Sequence, residues 1–145
     1  MDPLKPDDAM SEYAWLWAHH RDLLPAYALG LHRLAKEHPP AHIAIARMRD
    51  ELAPASAPSV EDLRDWLFLN DILGDARRSL QWFDDCYGSL SDKSEIAGLV
   101  ERTIGPLLIG ANRWRAARAL YGKRLWRMPV RDLVATWKVA RQRLR

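Results

Sequence analysis

The sequence predicts an all-α fold without a sheet, made of about eight helices packed as stacked antiparallel hairpins. Three observations lead there. Apolar residues recur at three- and four-residue steps, the helical period, along most of the chain. No window alternates apolar and polar residues over more than a few positions, so the strand period of two is missing. Prolines and glycines punctuate the chain at intervals suited to short helices joined by tight turns. No single helical pair closes a core by itself, so successive pairs must stack, either as a regular solenoid or as an irregular bundle.

Tyr13, Leu16, Trp17 and His20 share one face, which predicts a first helix from Asp8 to Leu24. Pro25 is tolerated in a first turn but not in a helix interior, so it is expected to open a second helix reaching Glu37. Its stripe is Ala28, Leu31, Leu34 and Ala35. Pro39 and Pro40 stop that helix and launch a third, Ala41 to Leu52. The stretch 54–58 has the proline and small residues of a surface loop. Ser59 reads as an N-cap, with Glu61 and Asp62 in the first turn, and Gly74 as the stop after Leu73. A fifth helix covers Ala76 to Tyr87, followed by a polar loop, Gly88 to Lys93. The sixth runs from Ser94 and bends at Gly105-Pro106 before ending near Ala111. The seventh takes Trp114 to Leu125. Pro129 opens the eighth, whose stripe is Val130, Leu133, Val134, Trp137, Ala140 and Leu144.

Two segments, Leu69 to Phe83 and Leu107 to Tyr121, are alike when laid together. Gly74 falls on Asn112, Ser79 on Ala117 and Phe83 on Tyr121. Gly and Asn tolerate the left-handed conformation that ends a helix. A small residue five positions on allows close helix approach, and an aromatic four beyond it fills the gap to the next pair. This pattern resembles the tetratricopeptide repeat, a helix–turn–helix unit that stacks into a solenoid. Gly105 fits that family's small first-helix residue and Trp114 its bulky residue after the turn. The sequence departs from the pattern in its spacing, 38 residues rather than the usual 34, and at Leu67 and Ala76. The resemblance covers residues 60–125. It implies one domain over 1–145: N-terminal helices in 1–53, the loop 54–58, two repeat-like hairpins in 59–125 and a capping helix in 129–145. It also implies a binding scaffold and no catalysis.

Composition agrees with a globular chain, at 48% apolar and 28% charged residues. No apolar run is long enough to cross a bilayer, and the opening MDPLKPDDAM has acids where a secretory leader has bases. The expected location is the cytoplasm. The single cysteine, Cys86, leaves no internal disulfide and no multi-cysteine metal cluster. Seven tryptophans are expected mainly as core anchors.

No glycine-rich phosphate loop, serine elbow or zinc-ligand signature is present. His38 and His42 have ligand spacing, but Pro39-Pro40 breaks the helix that would give it meaning. Asp84 and Asp85 are adjacent, so on a helix they diverge. Catalytic residues, cofactor and metal are all expected to be absent.

Charge carries the strongest functional signal. Residues 1–100 hold 17 acids against 10 bases, whereas residues 101–145 hold 2 against 12. Arg113, Arg115, Arg118, Lys123, Arg124 and Arg127 surround Trp114, Tyr121 and Trp126, and are the candidate partner-binding residues. The expected function is a protein-interaction adaptor for an acidic protein or peptide, without membrane insertion. The alternative is a nucleic-acid-associated protein using residues 101–145, since arginines with exposed aromatics also track phosphates and stack on bases. A third reading is a small helical enzyme with a dispersed site. Around a continuous seventh helix the arginines point in several directions, with Arg115 and Arg118 apart from Arg113, Arg124 and Arg127.

Overall fold

A computed structural model describes residues 5–52, 54 and 58–145. Among them the chain forms ten α-helices and no strand: α1 (Pro6–His19), α2 (Ala28–Glu37), α3 (Pro39–Glu51), α4 (Val60–Ile72), α5 (Ala76–Cys86), α6 (Ala97–Thr103), α7 (Gly105–Gly110), α8 (Trp114–Tyr121), α9 (Lys123–Arg127) and α10 (Val130–Arg143). The all-α class is as expected. Most of the expected loop 54–58 lies outside the described residues.

Where helix limits differ from the sequence reading, local chemistry explains the difference. The first helix ends at His19, and Arg21–Tyr27 winds as a 3-10 turn with Pro25 inside it. Pro25 has no N–H to donate and its ring would clash with the preceding α-turn, so tighter winding replaces the continuous helix. α2 therefore starts at Ala28 and not at the proline. The sixth helix is divided into α6 and α7, because Pro106 in the first turn of α7 cannot complete an unbroken ladder. The seventh is divided at Gly122, whose φ of 61° and ψ of −138° suit glycine alone. The expected single helix from Trp114 to Leu125 runs through this glycine, and the structure breaks it there.

The two aligned turns have the same capping geometry. Gly74 (φ 72°) and Asn112 (φ 59°) both adopt the left-handed conformation. Asp75 N–H donates to the Asn70 carbonyl at 2.8 Å, and Arg113 N–H to the Leu108 carbonyl at 2.9 Å, the long bond of a Schellman cap in each case. Ser59 caps α4 as expected, its hydroxyl accepting from Asp62 N–H at 3.1 Å.

α4 packs on both sides. Leu69 and Ile72 join Leu24, Leu31, Ala35 and Ile45 in the N-terminal core. Leu63, Trp66 and Leu67 join Trp82, Val100, Ile104, Leu108 and Ile109 in the larger core. A buried polar network ties α3 to the α4–α5 turn. Arg49 is only 3% exposed, and its Nη1 lies 2.5 Å from Asp75 Oδ2 and 3.5 Å from Asn70 Oδ1. Asn70 Nδ2 in turn donates to Ser79 Oγ at 3.1 Å. Only Trp66 and Trp82 of the seven tryptophans are buried; Trp15, Trp114 and Trp126 are exposed. Trp17 and Trp137 pack half-buried against the two cores, so four of the seven tryptophans anchor a core and three do not.

α10 lies across α7 at closest range where Gly110 meets Ala140. A Cβ at Gly110 would fall 2.5 Å from the Ala140 Cβ and 2.9 Å from α10 backbone atoms. Trp137 Nε1 adds a 2.7 Å hydrogen bond to Asn112 Oδ1, fixing α10 to the α7–α8 turn.

Two stability outcomes follow. Arg49→Ala removes the buried cation that Asn70 and Asp75 share, leaving Asp75 only the exposed Arg78 at 3.5 Å, and should lower the unfolding free energy by about 2–4 kcal/mol in a denaturant titration. A loss below about 0.5 kcal/mol, the range of neutral surface changes, would contradict the network's role. Gly110→Ala forces α10 outward and should cost about 1–3 kcal/mol by overpacking, read in the same titration; an unchanged midpoint would contradict the close crossing.

Candidate functional site

The break at Gly122 builds the most distinctive surface. In an unbroken helix Arg118 and Trp126 would be separated by about 12 Å along the axis. The turn folds α9 back instead, and the Arg118 guanidinium lies 5.4 Å from the centre of the Trp126 ring. On α8 Arg118 is the i+4 neighbour of Trp114 and the i+3 neighbour of Arg115, so it stands between them. With Leu125 and Trp126 of α9 and Leu133 of α10 these three line a groove of about 420 Å³. The side chains around its mouth are unusually apolar for a surface. Trp126 is 71% exposed and Val130 76%, and Trp114 and Val134 are also exposed. Such a patch, ringed by cations, is the usual composition of an interaction surface.

The six basic residues singled out from the sequence divide into two groups. Arg113 pairs with Asp84 at 2.5 Å, joining α8 to α5, and Arg124 pairs with Glu101. These two serve the fold. Among the described residues no carboxylate lies within 4.0 Å of Arg115, Arg118, Lys123 or Arg127. Arg143 reaches Asp71 at 2.6 Å, so the basic C-terminal segment is partly neutralised by the acidic remainder of the chain. Arg115 and Arg118, which a continuous helix would set apart from the other arginines, are the two that line the groove. The sequence reading placed Trp114, Tyr121 and Trp126 among these basic residues; Trp114 and Trp126 line the groove and Tyr121 does not, and Leu125 and Leu133 were missed. Gly122 was the available signal, since a glycine amid helix formers marks a change of direction.

Other chemistry-bearing residues have local partners. Asp84 faces Arg113, while Asp85 accepts from Gln81 Nε2 at 3.0 Å, so the adjacent carboxylates diverge. Cys86 is a half-buried free thiol packed against the larger core. His38 lies 3.2 Å from Asp7 and His32 3.7 Å from Asp71. Among the described residues no three His, Cys, Asp or Glu side chains cluster as metal ligands. Among the described residues no helix is long and apolar enough to cross a membrane.

Among the described residues Asp65 of α4 is the one buried carboxylate, and it lies apart from the groove. Burial pushes its carboxyl above the ordinary range, against the opposing pull of Arg64 at 3.2 Å and Arg21 at 3.8 Å. Its Oδ2 has no hydrogen-bond partner. A carboxyl whose pKa is higher in the folded state favours folding fully only below the unfolded value, and that contribution is lost as pH rises through the folded one. Asp65→Asn should therefore melt a few degrees higher than the parent at pH 7, about 2–8 °C per kcal/mol gained. The advantage should vanish near pH 3, below the ordinary aspartate range of about 4. A lower melting temperature at pH 7 would show that the ion pairs outweigh burial.

Comparison with protein-family models, curated proteins and solved structures finds no match to this chain.

Proposed function

We propose that the chain is a non-enzymatic cytoplasmic adaptor that binds an acidic protein segment in the groove between α8, α9 and α10. One observation carries this reading: an apolar groove with exposed Trp114 and Trp126, flanked by Arg115 and Arg118, which pair with no carboxylate among the described residues. The apolar floor suits a large apolar side chain of the partner, and the guanidiniums suit carboxylates on either side of it. An amphipathic acidic helix offers that combination at i, i+3 and i+4 spacing. A groove favours such a segment over a flat charged surface.

The two turns at Gly74 and Asn112 support a related reading, that α4–α5 and α7–α8 are degenerate tetratricopeptide-like hairpins. They share capping bonds, a buried small residue at Ser79 and Ala117, and a 38-residue spacing. Gly105 supports it further, since a Cβ there would fall 2.4 Å from the Tyr121 hydroxyl, a contact only glycine permits. On this reading the repeats present the C-terminal groove.

The test uses designed amphipathic peptides with glutamates around a central Trp or Leu, a lysine-rich control of the same apolar pattern, and a single-stranded oligonucleotide. The acidic peptide should bind at least about tenfold more tightly than the basic one, as expected of charge-assisted contacts. Arg115→Glu with Arg118→Glu should abolish that preference while leaving the circular dichroism spectrum and melting temperature unchanged. Equal binding by the variant sinks the site. Binding of the oligonucleotide alone, falling linearly in log affinity against log salt, replaces the peptide reading with the nucleic-acid one.

A further inference from the structure

A second concavity, of about 400 Å³, lies where α4, α6, α7 and α10 converge beside Pro25. Its floor is apolar, from Leu67 and Phe68 of α4, Leu99 of α6 and Leu107 of α7. Its rim holds three guanidiniums, Arg64, Arg102 and Arg143, against one carboxylate, Asp71. The juxtaposition follows from helical register. Residues 64, 67, 68 and 71 occupy one face of α4 at i, i+3, i+4 and i+7, and Leu99 and Arg102 are i, i+3 neighbours on α6. That α4 face lies between the two cores: Leu67 belongs to the larger one, Phe68 packs against the N-terminal one, and Arg64 and Asp71 carry it to the surface.

The arginines retain unused capacity. Arg102 forms no ion pair or side-chain hydrogen bond among the described residues. Arg64 engages Asp65 through Nε at 3.2 Å, which leaves its terminal Nη groups without a carboxylate. Arg143 holds Asp71 at 2.6 Å through Nη2, an exposed contact that an incoming anion can share. Arg64 and Arg143 each already hold a carboxylate, so Arg102 is the guanidinium left uncompensated over the half-enclosed apolar floor, and an oxyanion placed beside it supplies the missing charge. Carboxylate geometry matches the guanidinium fork. The volume falls at the lower end of small-ligand pockets, which fits a short chain and not a large cofactor.

We propose that this pocket binds a medium-chain carboxylate, with its head on Arg102 and Arg143 and its tail on Phe68, Leu99 and Leu107. It is separate from the α8–α10 groove and does not rest on the adaptor reading. Octanoate is the probe, with acetate supplying the head alone and octanol the tail alone. Calorimetric titration should show saturable octanoate binding, at least about tenfold tighter than either control. Amide chemical shifts should move at Phe68, Leu99 and Leu107. Arg102→Gln removes a guanidinium with no partner in the fold, so it should fold normally and weaken octanoate about tenfold or more. Arg115→Glu with Arg118→Glu should leave octanoate binding unchanged, which separates this pocket from the groove. Unsaturable octanoate binding, octanol binding as tightly as octanoate, or an Arg102→Gln variant that binds normally would each overturn the assignment.

Discussion

Burial of α4 on two opposite faces is the constraint from which the rest of the architecture follows. A helix with one apolar stripe needs one neighbour, whereas α4 presents Leu69 and Ile72 to one side and Leu63, Trp66 and Leu67 to the other. The N-terminal helices must cover the first side and α5 to α7 the second, so the two cores cannot form independently. Polar side chains embedded in these faces then have to be satisfied locally. Asn70 finds Ser79 and Arg49, and Arg49 finds Asp75. Asp65 is less well served, with one oxygen bonded to Arg64 and the other left to the field of Arg21. The buried network fixes α3 against the α4–α5 turn by directional bonds, and apolar contacts alone would permit sliding.

How much of this was legible in the sequence depended on the range of the physics involved. Signals confined to a few residues were readable: the Ser59 cap, the Gly74 stop, the left-handed Asn112 and the bend at Gly105-Pro106 all depend on backbone preferences of the residue concerned. Pro25 and Gly122 misled because each admits two outcomes. A proline can open a helix or sit in a 3-10 turn, and an isolated glycine can be carried by a helix or break it. Tertiary packing decides between these outcomes, and a single sequence does not show it. The same reason governs the tryptophans. Trp66 and Trp126 have similar helical surroundings in sequence, yet only Trp66 has a second layer of helices over it.

The candidate site shows the same division. Charge density in residues 101–145 was plain from composition, and of the six basic residues named from it Arg115 and Arg118 line the groove. Which of them are spent internally was not readable, because the partners of Arg113 and Arg124 come from α5 and α6. An exposed arginine paired with an exposed carboxylate contributes little to stability, but it loses much of its attraction for a third charge. Counting cations along a sequence therefore overstates the surface field, and among those six the structure leaves Arg115, Arg118, Lys123 and Arg127 without a carboxylate of the described residues.

The last helix does more than cap the core. Leu133 near its start lines the α8–α10 groove, and Arg143 at its end lines the pocket beside α4. About 15 Å of helix axis separates those two residues. A rigid rod of that length transmits any displacement at its middle to both ends. Its middle is held by the Gly110–Ala140 contact, where neither side has room for another methyl group, and by the Trp137–Asn112 hydrogen bond. Small residues at this crossing thus do what large ones do in a looser core: they set a single separation, because a close-packed backbone contact has a steep repulsive wall on one side and lost dispersion on the other. The positions of both surfaces are in this sense properties of Gly110, a residue that touches neither groove side chains nor the arginines of the α4 pocket, and whose importance is visible only once α7 and α10 are seen to cross.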